Sequence, residues 1–107
     1  MDDNKLPPFF YEIFDASLPR LNPGDDRLTI RALHTLLNVK PEFADEANNG
    51  TLRVMDLGCG NGAQTIQLAT HINGTVLAVD NHKPYLDELQ RRAEKKGVAD
   101  KINLYLK

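Results

Sequence analysis

The chain has 107 residues, of which 41% are hydrophobic and 26% charged, with a formal net charge of -2 at pH 7. That balance describes one globular unit, excludes a disordered or fibrous chain, and offers no basic excess to attract a nucleic-acid backbone. No run approaches the roughly 20 apolar residues that span a bilayer, and the acidic start MDDNK lacks a secretion signal's basic opening and apolar stretch, so the expected location is the cytoplasm.

Phe9, Phe10, Tyr11, Ile13 and Phe14 form an aromatic cluster that begins a short helix, followed by the loop SLPRLNPGDD. The next helix starts at Asp25 or Asp26, where a carboxylate caps free N–H groups and favours the positive end of the dipole. Leu28, Leu33, Leu36 and Leu37 supply its apolar face, and it stops near Val39 because Pro41 disfavours helical geometry at Lys40. NNGT at 48–51 is turn chemistry that opens onto Leu52-Arg53-Val54-Met55-Asp56-Leu57, which reads as a mostly buried strand. A glycine loop follows. Ile66, Leu68, Ala69 and Ile72 then suit a helix from Ala63 to His71, ended by Asn73-Gly74. Residues 75–79 form a second buried strand closed by Asp80. Pro84 fits the first turn of a further helix, with Leu86, Leu89 and Ala93 on one stripe and Gly97 at its end. On that helix Arg91, Arg92, Lys95 and Lys96 alternate with Glu88 and Glu94 and read as a solvated face. Ile102, Leu104 and Leu106 alternate into a third strand.

The single cysteine, Cys59, cannot close an internal disulfide, which fits a reducing compartment. It reads as a small space-filler between glycines, with no neighbouring base to make it a nucleophile. His34, His71 and His82 are far apart and lack cysteine partners at ligand spacing, so no metal site is expected, and His82 reads as an exposed loop residue. Asn49-Gly50-Thr51 and Asn73-Gly74-Thr75 match the glycosylation pattern but, without an export signal, read as turns ahead of strands.

Strand, helix, strand, helix, strand implies parallel strands joined by right-handed crossovers, in spatial order 3-2-1, the first half of a doubly wound sheet. Ligands in such sheets lie beyond the carboxyl ends of the strands. Asp56, the glycine loop and Asp80 all fall at that edge. Gly58, Gly60 and Ala63 fit a dinucleotide fingerprint, but Asp56 and Gly62 are left over. Asp80 can accept two hydrogen bonds from a ribose diol. A pyrophosphate beside Asp56 would be repelled, whereas a sulfonium and an ammonium would be attracted. A donor's carboxylate could look toward the N–H groups that open the helix near 63–65.

These residues, VMDLGCGNGAQTIQLA followed by VLAVDNHKPYLDELQRRAEKKGV, resemble the first two motifs of class I S-adenosylmethionine-dependent methyltransferases. The lead-in FFYEIFDASLPRLNPGDDRLTIRALHTLL is similar to that of small bacterial members of the ubiquinone and menaquinone type, in which the preceding helices help to cover the cofactor. The resemblance implies the N-terminal half of a Rossmann-like three-layer α/β sandwich, with a helical lead-in over 1–47 and the first half of the cofactor domain over 48–107. It implies S-adenosylmethionine as cofactor, with Asp56, Gly58 and Gly60 framing the methionine end, Asp80 on the ribose hydroxyls, Asn81 bordering the adenine, and Cys59 and Gln64 also at the site.

The resulting expectation is methyl transfer to a small-molecule acceptor, with neither nucleic acid nor membrane as partner. No residue stands out as a catalytic base. The strands and helices of the family's second half are absent from these 107 residues, so the isolated chain is expected to lack turnover and to self-associate through the first strand's exposed edge, unless the N-terminal segment covers it. Two other classes stand beside this one: a nicotinamide-dependent oxidoreductase half-domain, and a non-catalytic fragment that binds a partner through its unfinished sheet.

Overall fold

A computed structural model describes residues 7–21 and 25–107. The acidic opening MDDNK and the centre of the SLPRLNPGDD loop lie outside the described residues. In chain order the elements are α1 (Pro8–Ile13), α2 (Asp26–Val39), α3 (Pro41–Asn49), β1 (Leu52–Leu57), α4 (Ala63–His71), β2 (Gly74–Asp80), α5 (Lys83–Lys96), a 3-10 turn (Ala99–Lys101) and β3 (Ile102–Leu106).

Local chemistry accounts for most of these bounds. Asp25 caps α2 by accepting a hydrogen bond from the Leu28 N–H at 3.0 Å. Helix α2 ends at Lys40, and Pro41 opens α3 at a position where a missing N–H is harmless. The sequence reading passed over α3, because PEFADEANN carries little apolar periodicity; Phe43 and Ala47, one turn apart, are what pack it against the core. Gly50 closes α3 in the left-handed region, at φ 75°. Asn73-Gly74 departs from expectation. Helix α4 ends at His71 with Ile72 extended, and Gly74 opens β2, where a Cβ would collide with the Leu52 carbonyl. That glycine permits close strand approach and caps nothing.

The three strands are parallel in the order β1-β2-β3, with Leu52 opposite Gly74, Asp56 opposite Ala78, and Asp80 opposite Leu106. This is the expected 3-2-1 half of a Rossmann-like sheet. Leu52, Val76, Ala78 and Ile102 meet Ile66, Ala69 and Ile72 of α4, Leu86, Leu89 and Ala93 of α5, and Leu33 of α2 in one core. The strand members of that core share a single face, so α4 and α5 cover one side of the sheet, as right-handed crossovers require.

The other face is open among the described residues, and this corrects the reading of β1 as mostly buried. Leu52 and Asp56 point inward, while Met55 is 58% and Leu57 71% exposed. On the same face Tyr105 of β3 is 51% exposed. Two layers of the sandwich are present, and the outer edge of β1 carries no paired strand among the described residues.

Candidate functional site

Strand β1 delivers Asp56 to the rim of the sheet, where its side chain is buried. The first turn of α4 receives it: Thr65 Oγ1 donates to Oδ2 at 2.7 Å and Gln64 Nε2 to Oδ1 at 3.3 Å. Burial pushes the Asp56 carboxyl above its usual range, against the opposing pull of these two donors, and the nearby Asp80 anion adds to the rise. The carboxylate thus ties the end of β1 to the start of α4.

Between them the chain coils through Gly58, Gly60 and Gly62, all in the left-handed region at φ 68°, 58° and 91°. The Gly58 and Cys59 N–H groups both donate to the Val79 carbonyl, at 2.8 and 3.0 Å, which fastens the loop over the end of β2. The Gly60 N–H donates to Asp80 Oδ2 at 2.9 Å, and the His82 N–H to Oδ1 at 3.0 Å. Each Asp80 oxygen therefore holds one backbone donor and keeps further acceptor capacity. The two outer glycines differ in what surrounds them. No atom lies within 4 Å of the position a Cβ would take at Gly58, whereas at Gly62 that position collides with Leu89 of α5. Gly58 faces open space; Gly62 is a packing requirement.

Cys59 is 3% exposed, and burial together with the Asp80 and Asp56 anions pushes its thiol up to about 12. Such a thiol is neutral and inert near pH 7. Asn81 is exposed beside Asp80. His82 is not the exposed loop residue expected from sequence: it is half-buried, stacked on Tyr11 with ring centres 3.8 Å apart, and set edge-on to Tyr85 at 4.5 Å. Six of the seven sequence-nominated residues, Asp56, Gly58, Cys59, Gly60, Gln64 and Asp80, converge on one loop, and Asn81 borders it.

Residues 14–21 form a strap alongside this loop, and here the sequence reading missed two side chains. Buried Asn61 donates from Nδ2 to the carbonyls of Ala16 and Leu18, at 3.0 and 2.6 Å. Arg92, read from sequence as solvated, is 18% exposed and reaches the carbonyls of Ala16, Ser17, Leu18 and Pro19 through its guanidinium at 2.7–3.3 Å. Tyr85 adds a hydrogen bond from its hydroxyl to the Phe14 carbonyl at 2.6 Å. No local pattern announces these contacts, because their partners lie 43 to 76 positions away. Among the described residues no group of three or more His, Cys, Asp or Glu side chains is placed to hold a metal ion.

Comparison with known proteins follows the same lines. Residues 54–106 match a family model described as a methyltransferase domain. Over 105 residues the chain is 31% identical to the ribosomal protein L11 methyltransferase of Thermosipho melanesiensis, covering 97% of this chain and 40% of that protein. Two solved S-adenosylmethionine-dependent methyltransferases in complex with S-adenosylhomocysteine share the fold. The one from Thiobacillus denitrificans is 23% identical over all of this chain and 38% of its own, with a TM-score of 0.69. The one from Geobacter sulfurreducens is 21% identical over 95% of this chain and 36% of its own, with a TM-score of 0.63. The chain thus spans about two fifths of the length of these three relatives. With the glycine loop between two strand-end carboxylates and the parallel sheet, residues 54–106 belong to the methyltransferase-domain family, and the chain has the fold of these solved S-adenosylmethionine-dependent methyltransferases.

Proposed function

We propose that this chain holds S-adenosylmethionine across the ends of β1 and β2 for methyl transfer to a small-molecule acceptor. The observation that carries the reading is the pair of carboxylates that flank one glycine loop, Asp56 hydrogen-bonded to the first turn of α4 just after the loop and Asp80 to the Gly60 N–H within it. The site fits the group: open space beside Gly58 admits a ligand against the backbone, and Asp80 retains acceptor capacity for a ribose diol. When bound, S-adenosylmethionine supplies a methyl group on a sulfonium, open to in-line displacement by an acceptor.

In this reading Asp80 accepts from the ribose hydroxyls, Gly58, Cys59 and Gly60 present their backbone to the ligand, and Asn81 borders the adenine. Asp56 acts through its field and through Gln64, which it orients. A dinucleotide suits the site poorly, since a phosphate charge about 5 Å from Asp56 would be repelled by roughly 3 kcal/mol at an effective dielectric near 20. The lead-in over 1–47 supplies the strap and the segment over 48–107 the donor site. We assign no proton-transfer role to any residue of the chain, whose work is alignment and exclusion of water.

The net charge of -2 favours an acceptor other than nucleic acid. A protein acceptor is a second reading, supported by the 31% identity to an enzyme named for a ribosomal protein. Among the described residues no helix is long and apolar enough to cross a membrane, and we place the chain in the cytoplasm. Calorimetry of the chain against S-adenosylhomocysteine and against NAD tests the donor: preferential binding of the former is expected, and tighter dinucleotide binding overturns the reading. A labelled-methyl assay on the parent protein, with small metabolites in one arm and ribosomal proteins in the other, separates the two acceptors.

A further inference from the structure

The dipeptide Asn-Gly occurs three times in the chain, at 49–50, 61–62 and 73–74. In this pair a backbone nitrogen attacks the preceding side-chain amide with least hindrance, because glycine sets no Cβ beside its own nitrogen. The reaction asks two things of the fold: an Asn amide able to swing, and a glycine N–H that is not already engaged. The three pairs differ on both counts.

Asn61 is 1% exposed and its Nδ2 donates to the Ala16 and Leu18 carbonyls, while the Gly62 N–H donates to the Cys59 carbonyl at 3.2 Å. Asn49 is exposed, but it closes the last turn of α3, and the Gly50 N–H donates to the Ala47 carbonyl at 3.3 Å. Asn73 is exposed in the bend between α4 and β2, with its Oδ1 3.3 Å from the position a Cβ would take at Gly50. Backbone groups along β2 alternate between its two neighbours. The Val79 carbonyl faces the β1 side, where it accepts from Gly58 and Cys59, and the Asp80 carbonyl faces β3, where it accepts from Lys107. Even-numbered residues of β2 therefore turn their N–H toward β3. Pairing with β3 begins only at Val76 with Ile102, so the Gly74 N–H lies ahead of that ladder and is not held by it.

We propose that Asn73 is a site of spontaneous deamidation and isoaspartate formation, the one of the three pairs that the fold leaves open. The Gly74 nitrogen loses its proton to solvent and bonds to Asn73 Cγ; the Cγ–Nδ2 bond breaks, and that nitrogen takes up a proton and leaves as ammonia. Water then opens the cyclic imide. Breaking the new bond to Cγ gives aspartate, and breaking the bond to the Asn73 backbone carbonyl carbon gives isoaspartate. Water is the only co-reactant, and nothing is oxidised or reduced. Isoaspartate lengthens the main chain by a methylene just before Gly74, which pairs with Leu52 so closely that a Cβ on it would stand 2.0 Å from the Leu52 carbonyl oxygen. That pair has no room for the change, so the modification loosens the sheet at the end opposite Asp56 and Asp80.

The experiment incubates the chain folded and, separately, unfolded in urea, and follows each asparagine by peptide mass mapping, with electron-transfer fragmentation to tell isoaspartate from aspartate. In urea the three pairs should convert at similar rates. In the folded chain Asn61 and Asn49 should slow by at least about 10-fold, because the strap or the end of α3 must open first, while Asn73 should stay within about 3-fold of its rate in urea. Protection of Asn73 equal to that of Asn61, or faster conversion of Asn49 than of Asn73 in the folded chain, overturns the proposal. Asn73→Gln keeps the amide but would have to close a larger ring, and should remove the event at this position. After equal incubation the wild type should melt below that variant; equal melting overturns the loosening of the sheet. Should Asn73→Gln fail to fold, the wild-type chain before and after incubation gives the same comparison.

Discussion

Asn61 and Arg92 converge on the same two carbonyls. Leu18 O accepts from Asn61 at 2.6 Å and from Arg92 at 2.7 Å, and Ala16 O accepts from them at 3.0 and 3.3 Å. One donor comes from the glycine loop and the other from α5, so the strap is the piece that joins the two. Glu88, one turn before Arg92, pairs with both Arg91 and Arg92 and holds the guanidinium in place.

Arg92→Ala should therefore act on the strap, 14–21, before it acts on the sheet. It leaves the Ser17 and Pro19 carbonyls without this donor while Asn61 keeps Ala16 and Leu18. The expected cost is about 1–3 kcal/mol, read from urea unfolding. Hydrogen exchange should rise across 14–21 and stay unchanged in β2. Unchanged protection of the strap would show that Arg92 does not hold it.

Gly58 and Gly62 should separate binding from folding. Both have positive φ, but only Gly62 is pressed against Leu89. Gly62→Ala combines a left-handed backbone with overpacking and should cost about 2–5 kcal/mol of stability. Gly58→Ala meets no atom and should cost only about 1–2 kcal/mol of backbone strain, yet it fills the space where a ligand would approach. Thermal melts and S-adenosylhomocysteine titrations of both variants check this, and the reverse pattern would contradict the assignment of the open space.

Asp56→Asn should become relatively more stable as pH rises. Burial lifts the folded-state pKa of Asp56 above its ordinary 3.8, so in the window between those two values the folded chain binds more protons than the unfolded one and Asp56 erodes stability with increasing pH. Asparagine removes that term and can still accept from Thr65. The difference in melting temperature, variant minus wild type, should therefore climb through the window just above pH 3.8 and then level off. A difference that falls across the window would reverse the sign of the argument.

The 107-residue polypeptide should self-associate through its open sheet face. Met55, Leu57 and Tyr105 are exposed there beside the unpaired edge of β1, and soluble monomers rarely carry so contiguous an apolar patch. Sedimentation should show a concentration-dependent dimer or larger species, with Leu57→Lys shifting it toward monomer. A monomer at all concentrations would mean the face is tolerated bare.

Most helix and strand bounds were legible because each has a local cause: Asp25 as cap, Pro41 and Gly97 as stops, a short apolar run in β1 and alternation in β3. Helix α3 was not, since Phe43 and Ala47 matter only once there is a core to pack on. Asp56, Gly58, Cys59, Gly60, Gln64 and Asp80 were legible as a group because a strand-loop-helix turn needs few long-range facts to place them. The roles of Asn61 and Arg92 were hidden. A charged residue on an amphipathic helix looks solvated until a distant segment covers it.

By itself the sequence determined the order of the parallel strands and the rim on which two carboxylates and a glycine loop meet, because hydrophobic period, turn chemistry and crossover handedness are all short-range rules. Only the tertiary structure decided which of these groups are free and which are spent. Asp56 is held by Thr65 and Gln64, Asp80 by Gly60 and His82, and Arg20 is left with a buried N–H lacking an acceptor. Hydrogen-bond satisfaction is a property of the packed whole: Asp80 and Gly60 are 20 positions apart, and Asp56 and Thr65, though only nine apart, meet because the loop between them folds back, which residue order alone does not state.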